Sequence, residues 1–215
     1  MSGGEAAGEL DTVALNKFSR QNATFGAETT AKLIKMRVII FGLRGIGAET
    51  AKNLALQGTG AITLIDSSVV SPQDLGLNFF FTDSDVGAKR ADAFAPKLRD
   101  LNPICDIKVA NDVTETLIGE HTALVICNNE VQLSSLKRFD TICRKVNTSF
   151  FYAFSGGLNS SIFVDHGDKH VVNDPSKSCK ILKQKRVHIY YLLTYLLTYL
   201  LTYLLIYLFT YLLVV

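Results

Sequence analysis

The stretch FGLRGIG contains the residues whose spacing most directly suggests chemistry. Its glycines, Gly42, Gly45 and Gly47, lie between a short apolar run and a segment with helical periodicity. A glycine-rich turn at such a place is where α/β proteins hold phosphates, because its backbone N–H groups can approach an anion closely. Asp66 ends the next apolar run about 20 residues later, where a carboxylate can accept hydrogen bonds from ribose hydroxyls. Arg44 replaces the central glycine of the dinucleotide pattern, so the turn either holds a nucleotide or only lets a helix pack closely on a strand.

The flanking sequence predicts the elements that would position these residues. Apolar runs rich in β-branched residues predict strands at RVIIF, AITLID, CDIKVA, ALVIC and SFFYAF, and SSIFVDHG is expected to turn back as another strand. Helical spacing predicts helices at 27–35, in GAETAKNLALQ with a C-cap at Gly58, and in VQLSSLKRFDTICRKVN. A further helix is predicted in DVGAKRADAFAPKLRDLNP, which Pro96 is expected to bend or divide.

Strand alternating with helix is typical of one fold class. It predicts a Rossmann-like, doubly wound α/β fold with a mostly parallel sheet. Right-handed crossovers place the carboxyl ends of the strands at one edge, where ligands bind. That edge is expected to collect residues 41–47, Asp66, and the strand ends near Ala110, Cys127 and Phe154.

Composition limits the classes of function. The 215 residues are 48% apolar and 20% charged with a net charge of +2, which gives no reason to expect a nucleic-acid partner. The four cysteines have no metal-ligand spacing and are expected to be structural or incidental, so no metal site is predicted. No secretory signal is evident, and a cytoplasmic or nuclear location is expected. The cysteines are Cys105, Cys127, Cys143 and Cys179.

The sequence divides into four segments of different composition. Residues 1–12 are small and acidic and are predicted to be disordered. Residues 13–175 form the predicted α/β domain, and 176–188 a basic linker. Residues 189–215 contain no charged residue and are expected to be a low-complexity, helix-like apolar tail. The tail is long enough to span a bilayer, but its recurring YLLT unit is also what a translated nucleotide repeat would give, so a misjoined or read-through reading frame is favoured over a membrane anchor.

Several sequence blocks together resemble one protein family. FGLRGIGAETAKNLALQGTGAITLID, VVSPQDLGLNFFF, DVGAKRA and LNPICDIKV are similar to the ThiF-type adenylating fold of the enzymes that activate ubiquitin and its relatives. The resemblance runs from about Asn16 to Pro175. It implies one of two paired halves, of which one adenylates the modifier with ATP and the other is catalytically inactive. The blocks resemble the SUMO-activating small subunit, whereas GGLNSSIFVDHGDKHVVNDP resembles the N-terminal half of the ubiquitin-activating enzyme, which is the favoured match.

Departures from the family pattern point to the inactive half. Where active halves have a glycine, a second aspartate, an arginine and a lysine, this chain has Arg44, Ser68, Leu77 and Ala88. Such a site lacks the charges that would neutralise a reacting triphosphate and its magnesium ion. The resemblance therefore implies a degenerate nucleotide pocket that binds no cofactor itself; its residues are Gly42, Arg44, Gly45, Gly47, Asp66, Asn78, Lys89 and Arg90.

The resemblance also implies a partner. FSRQ resembles a motif near the start of inactive halves, whose arginine reaches the γ-phosphate in the partner's site; Arg20 is the candidate for that role. ATP and Mg²⁺ would then be bound by the active half, and the modifier would be ubiquitin or a SUMO-like protein. Two alternatives stay open: a stand-alone NAD-binding oxidoreductase, favoured by the glycine turn and Asp66, and a membrane-tethered binding module, which requires that the tail be real.

Overall fold

The computed structural model describes most of the predicted α/β domain and two strands beyond it. Arg20, residues 1–12 and residues 193–215, on which parts of the sequence predictions fall, lie outside the described residues. The described residues are Ser19, Ala23, 26–156, 159–168, 170–174, 177–182 and 187–192.

Helices and strands alternate between residues 27 and 156. The helices are α1 Ala27–Lys35, α2 Gly45–Gln57, α3 Asp74–Leu77, α4 Arg90–Leu101, α5 Glu115–Gly119 and α6 Leu133–Val146, with a 3₁₀ turn at Asp83–Asp85. The strands are β1 Arg37–Phe41, β2 Ala61–Ile65, β3 Asp106–Val109, β4 Ala123–Ile126, β5 Ser149–Gly156, β6 Asn159–Asp165, β7 His170–Asp174, β8 Lys177–Leu182 and β9 Val187–Leu192.

One large sheet forms the centre of the described structure. Its seven strands have the order β3-β2-β1-β4-β5-β6-β9, while β7 and β8 form a separate hairpin. The first five strands are parallel, and β6 and β9 are antiparallel. The predicted doubly wound, mostly parallel sheet is therefore confirmed. The strand order reverses between β1 and β4, which is where ligands bind in open sheets of this type.

The sheet is covered on both faces, which explains the near-continuous apolar character of its central strands. On one face β1, β2 and β4 pack with α2 and α4, and on the other β1, β4 and β5 pack with α5 and α6. All five residues of β2 and all four of β4 are buried. This burial, worth roughly 1.5–3 kcal/mol for each large side chain, holds the carboxyl ends of β1, β2 and β4 at one edge.

Most predicted element bounds are confirmed, with one difference in α4. Helix α1 spans the predicted residues 27–35, and α2 ends at Gly58, whose φ is 103°. The predicted division at Pro96 does not occur, since α4 is one helix from Arg90 to Leu101. The proline costs about 3 kcal/mol, and the burial of Phe94 and Leu98 on the same helix offsets that loss.

The C-terminal strands correct two expectations. The segment 176–188 was predicted as a linker, but strand β8 lies within it. This stretch is extended because it pairs with β7 as a hairpin. Strand β9 extends to Leu192, so the first residues of the predicted helix-like tail are extended. The reason is that β6 offers an unpaired edge, and a β-branched and aromatic segment satisfies its backbone groups by pairing there. Among the described residues no helix has both the length and the apolar character needed to cross a bilayer.

A buried histidine ties helix α5 to strand β2. His121 is 6% exposed; its Nδ1 lies 2.7 Å from the Leu117 carbonyl oxygen and its Nε2 2.8 Å from Thr63 Oγ1. The carbonyl can only accept, so Nδ1 carries the proton and the Thr63 hydroxyl donates to Nε2. Burial lowers the pKa of His121, although the hydrogen bond to Leu117 opposes this shift. Burial therefore favours the neutral ring of His121 in the folded chain.

We expect the free energy of unfolding to fall as the pH drops below about 6.5. The pKa of His121 is lower in the folded than in the unfolded chain, so below that pH the unfolded chain binds more protons. The slope from one such group is at most about 1.4 kcal/mol per pH unit. Urea unfolding at pH 7.5 and 5.5 measures it, with His121→Gln as the control that should lose this component. Equal pH dependence in both proteins would contradict the assignment.

Candidate functional site

A small cleft opens at the carboxyl edge of the sheet, beyond the ends of the neighbouring strands β1 and β4. Its cavity volume is about 50 Å³, well below the roughly 300–1,000 Å³ of clefts that enclose small-molecule ligands. Four of the residues that the sequence assigned to a nucleotide pocket line it: Gly42, Arg44, Asp66 and Arg90. The remaining lining residues are Ser68, Cys127, Asn128, Asn129 and Glu130.

The glycine turn brings α2 against the end of β1. Gly42 has a φ of 95°, and a Cβ there would lie 2.7 Å from the backbone nitrogen of Asn128. A Cβ on Gly47 would lie 1.8 Å from the carbonyl oxygen of Gly42, an impossible contact. A Cβ on Gly45 would meet nothing closer than 3.9 Å. Gly42 and Gly47 are therefore required by close packing, whereas Gly45 is not.

The Asp66 carboxylate makes its hydrogen bonds to groups within the protein. Its Oδ2 accepts a hydrogen bond of 2.9 Å from the backbone N–H of Leu43, and its Oδ1 one of 3.0 Å from that of Ser68. Arg90 Nη1 lies 3.5 Å from Oδ2, and Asp66 itself is 7% exposed. Both carboxylate oxygens that could face a ribose thus already have partners within the chain.

Arg90 forms the centre of the site. It begins α4, is 5% exposed, and directs its guanidinium at a second buried carboxylate, that of Asp74. Arg90 Nε and Nη2 each lie 3.0 Å from Asp74 Oδ2, while Nη1 faces Asp66. One guanidinium therefore pairs two carboxylates from the end of β2 and from α3. We call Asp66, Asp74 and Arg90 the charge cluster.

Asp74 is ionised in this environment. Its carboxylate is 2% exposed and accepts hydrogen bonds from the backbone N–H of Ser71 at 2.8 Å and from Ser71 Oγ at 2.9 Å. Burial raises the pKa of Asp74, but the two bonds from Ser71 and the hydrogen bond and charge of Arg90 outweigh burial and lower it overall. The Asp74 carboxylate is thus a buried anion that is hydrogen-bonded to both Ser71 and Arg90.

Arg44 closes the outer side of the cluster. Its side chain is 54% exposed, with Nε 3.5 Å from Asp74 Oδ1 and Nη1 3.8 Å from Glu130 Oε1. Arg44 adds a second positive charge, so the two arginines balance Asp66 and Asp74. The backbone at this position, which the dinucleotide pattern leaves bare, is covered by a long side chain.

The other predicted pocket residues lie outside the cleft lining. Lys89 caps the start of α4 and is exposed, and Gly45 lies in the first turn of α2. Asn78 is buried, and its Oδ1 accepts from the Phe80 backbone N–H. The Asn78 amide nitrogen has no hydrogen-bond partner among the described residues. Arg20, the candidate for action on a partner, lies outside the described residues.

Sequence reasoning missed the most important partner in the site. Asp74 was quoted within a resemblance block but not assigned a role, because nothing local indicates that a carboxylate on a short loop helix will be buried. Asn128, Asn129 and Glu130 were also missed. A polar run directly after the buried strand β4 could have identified them, since the carboxyl ends of parallel strands meet at one edge.

The described thiols are unsuited to nucleophilic chemistry. Cys105, Cys127 and Cys143 are buried and unpaired. Burial raises the pKa of each to about 12, helped by the charge of Asp106 at Cys105 and of two aspartates at Cys143. The reactive thiolate is therefore scarce at neutral pH. Nor do three or more acidic, histidine or cysteine side chains come together as a metal site anywhere in the described part of the chain.

Comparisons with known proteins agree on the family. The ThiF family matches residues 18–172, which is more than half of the chain. SUMO-activating enzyme subunit 1 of Homo sapiens is 32% identical over 183 residues, covering 82% of this chain and 52% of that protein. Ubiquitin-activating enzyme E1 1 of Arabidopsis thaliana is 38% identical over 160 residues, covering 73% of this chain and 14% of that protein.

A solved structure supports the fold. The crystal structure of E. coli MccB with succinimide superposes with a TM-score of 0.62 at 18% identity, covering 72% of this chain and 50% of that chain. At this identity the likeness concerns the fold alone. The chain spans about half the length of SUMO-activating enzyme subunit 1 and a much smaller part of ubiquitin-activating enzyme E1 1.

Alanine substitutions test whether close packing requires glycine at each position of the turn. We expect Gly47→Ala to lower the free energy of unfolding by about 3 kcal/mol or more, because its Cβ would overlap the Gly42 carbonyl oxygen. Gly45→Ala is the matched control in the same helix turn, and it should be neutral or stabilising by up to about 1 kcal/mol. Urea unfolding measures both. A Gly47→Ala protein as stable as the wild type would refute the packing role.

Proposed function

The chain belongs to the ThiF family, and from that membership we propose that it serves as the half of a modifier-activating enzyme that does not itself adenylate. Its partner would be an active adenylation half, and the modifier ubiquitin or a SUMO-like protein. The support for this class of activity is the similarity to SUMO-activating enzyme subunit 1 and to ubiquitin-activating enzyme E1 1.

The observation that carries the proposal is the position of the Arg90 guanidinium. It pairs with Asp66 and Asp74 in the place where a nucleotide would need open carboxylate oxygens and free space. Displacing it would remove the buried counter-charge that two buried carboxylates share, a change that typically costs about 3–5 kcal/mol. A nucleotide would have to supply that free energy before gaining any contact of its own.

The remaining groups at this edge fit a magnesium-bound triphosphate poorly. Ser68 offers no charge to a metal ion, and the exposed Leu77 side chain cannot neutralise a phosphate. Arg44 is the only cation at the mouth of the described cleft, and it faces Asp74 and Glu130. These features favour an inactive half, so ATP and Mg²⁺ are assigned to the partner.

We further propose that Arg20 acts in the partner's site. Its segment precedes α1, and a guanidinium supplied from outside a site matches the oxygen geometry of a phosphate better than an ammonium does. In this arrangement the chain contributes one catalytic side chain and a docking surface, while the partner binds the nucleotide and the modifier.

Pyrophosphate exchange into ATP, with ubiquitin present, tests the proposal. The probe partner is the part of Arabidopsis thaliana ubiquitin-activating enzyme E1 1 outside the matched stretch, made as a separate chain. We expect no exchange from the 215-residue chain alone, and exchange by the partner to rise when the chain is added. Arg20→Ala should reduce this increase at least tenfold, as expected for a group that stabilises phosphate charge, and Lys17→Ala should not.

Each result decides a separate part of the proposal. Exchange by the chain alone would refute the assignment as a non-adenylating half. No stimulation of the partner would refute pairing with this class of enzyme. Unchanged stimulation by Arg20→Ala would remove the role of Arg20 and leave the rest. Micromolar binding of NADH would support an oxidoreductase instead.

A further inference from the structure

Strand β3 forms one edge of the large sheet. It is the last strand in the order, and in the described structure it pairs with β2 alone. The Asp106 N–H donates to a carbonyl just before β2, and the Ala110 N–H to one within β2. Alternate residues of a strand point the opposite way, so the backbone N–H and C=O groups of Ile107 and Val109 face outward. Outward groups of this kind are a template for a strand of another chain.

Arg99 occupies one of these outward groups. It lies in the last turn of α4, next to Leu98, which packs in the same apolar core as Ile107. From there its guanidinium donates two hydrogen bonds to the Ile107 carbonyl oxygen, from Nε at 3.2 Å and from Nη2 at 2.8 Å. A side chain from the helix therefore takes up a backbone acceptor in the middle of the edge strand.

Pairing between two copies of the chain would need that same acceptor. In an antiparallel pair of β3 strands with the two Ile107 residues opposite each other, each Ile107 N–H donates to the Ile107 carbonyl of the other copy. The same register places Asp106 of one copy opposite Lys108 of the other. Both side chains are exposed and of opposite charge, which favours a cross-strand pair. The charges of β3 therefore do not oppose self-pairing, whereas the hydrogen bonds from Arg99 do.

We propose that Arg99 blocks the β3 edge of the sheet and thereby prevents a second copy of this chain from adding a strand there. Loss of the guanidinium frees the Ile107 carbonyl, which then accepts a hydrogen bond from the other copy. Placing a charged side chain at a sheet edge is one way in which proteins avoid edge-to-edge association. If Arg99 only tied α4 to β3, its loss would lower stability without causing association.

Sedimentation velocity over a concentration series, with hydrogen exchange of residues 105–110 read by mass spectrometry, tests the proposal on the 215-residue chain. Arg99→Met keeps the apolar stem and removes both donors. We expect it to self-associate at a concentration at least about tenfold lower than the wild type, as two regained backbone hydrogen bonds would give. Its amides in 105–110 should become more protected as the concentration rises. Arg99→Lys is the matched control, since an ammonium still donates to the Ile107 carbonyl, and it should behave as the wild type.

A second variant locates the association. Val109→Pro removes an outward N–H and leaves the hydrogen bonds to β2 intact, a change that edge strands tolerate. Val109 is 38% exposed, so its replacement leaves the buried core in place. In the Arg99→Met background, Val109→Pro should restore the sedimentation of the wild type. Circular dichroism and urea unfolding verify that each variant is folded.

The outcomes decide the proposal in either direction. Association of Arg99→Met that Arg99→Lys does not show and that Val109→Pro reverses supports it. Sedimentation of Arg99→Met like the wild type overturns it and leaves Arg99 as a tie between α4 and β3. Association that Val109→Pro leaves unchanged, or that does not protect residues 105–110, also overturns it, because the contact then lies elsewhere. Concentration-dependent protection of these residues in the wild type overturns it too, since Arg99 would then not block the edge.

Discussion

The buried guanidinium of Arg90 is the interaction on which the carboxyl edge of the sheet depends. Charged groups lose several kcal/mol of solvation when buried and persist only where partners and hydrogen bonds replace water. Here Asp66 and Asp74 supply both charges, and backbone N–H groups from Leu43, Ser68 and Ser71 complete their hydrogen bonds. The cluster thereby joins the glycine turn, the loop after β2 and the start of α4. Because the charged groups of the cluster already have hydrogen-bond and ion partners within the chain, few polar atoms are left for a ligand to contact.

The site has the backbone shape of a nucleotide-binding sheet, but its charged side chains pair with one another. The strand order, the crevice beyond the ends of β1 and β4, and the tight contact of Gly47 with Gly42 are what a nucleotide-binding sheet requires. The space is small and its charges are paired with one another, so the family's scaffold persists while its ligand groups are engaged elsewhere.

Sequence periodicity predicted the parts of the fold that local physics controls. Helix α1, the five parallel strands and the position of Asp66 follow from apolar spacing and from the run lengths of buried strands. The path of α4 through Pro96 and the pairing of β9 with β6 could not be predicted, because both depend on packing and on a sheet edge formed by distant residues. At the site, the motif identified Arg90 as a pocket residue but not its direction. That direction depends on the burial of Asp74, which no local pattern indicates.

A double-mutant cycle between Arg90 and Asp74 tests the central claim most directly. Urea unfolding of the wild type, Arg90→Met, Asp74→Asn and the double variant gives the coupling free energy between the two side chains. A buried, doubly hydrogen-bonded pair predicts a coupling of about 2–3 kcal/mol, so the double variant should be much more stable than the sum of the two losses implies. Additive losses, with a coupling below about 0.5 kcal/mol, would contradict the account.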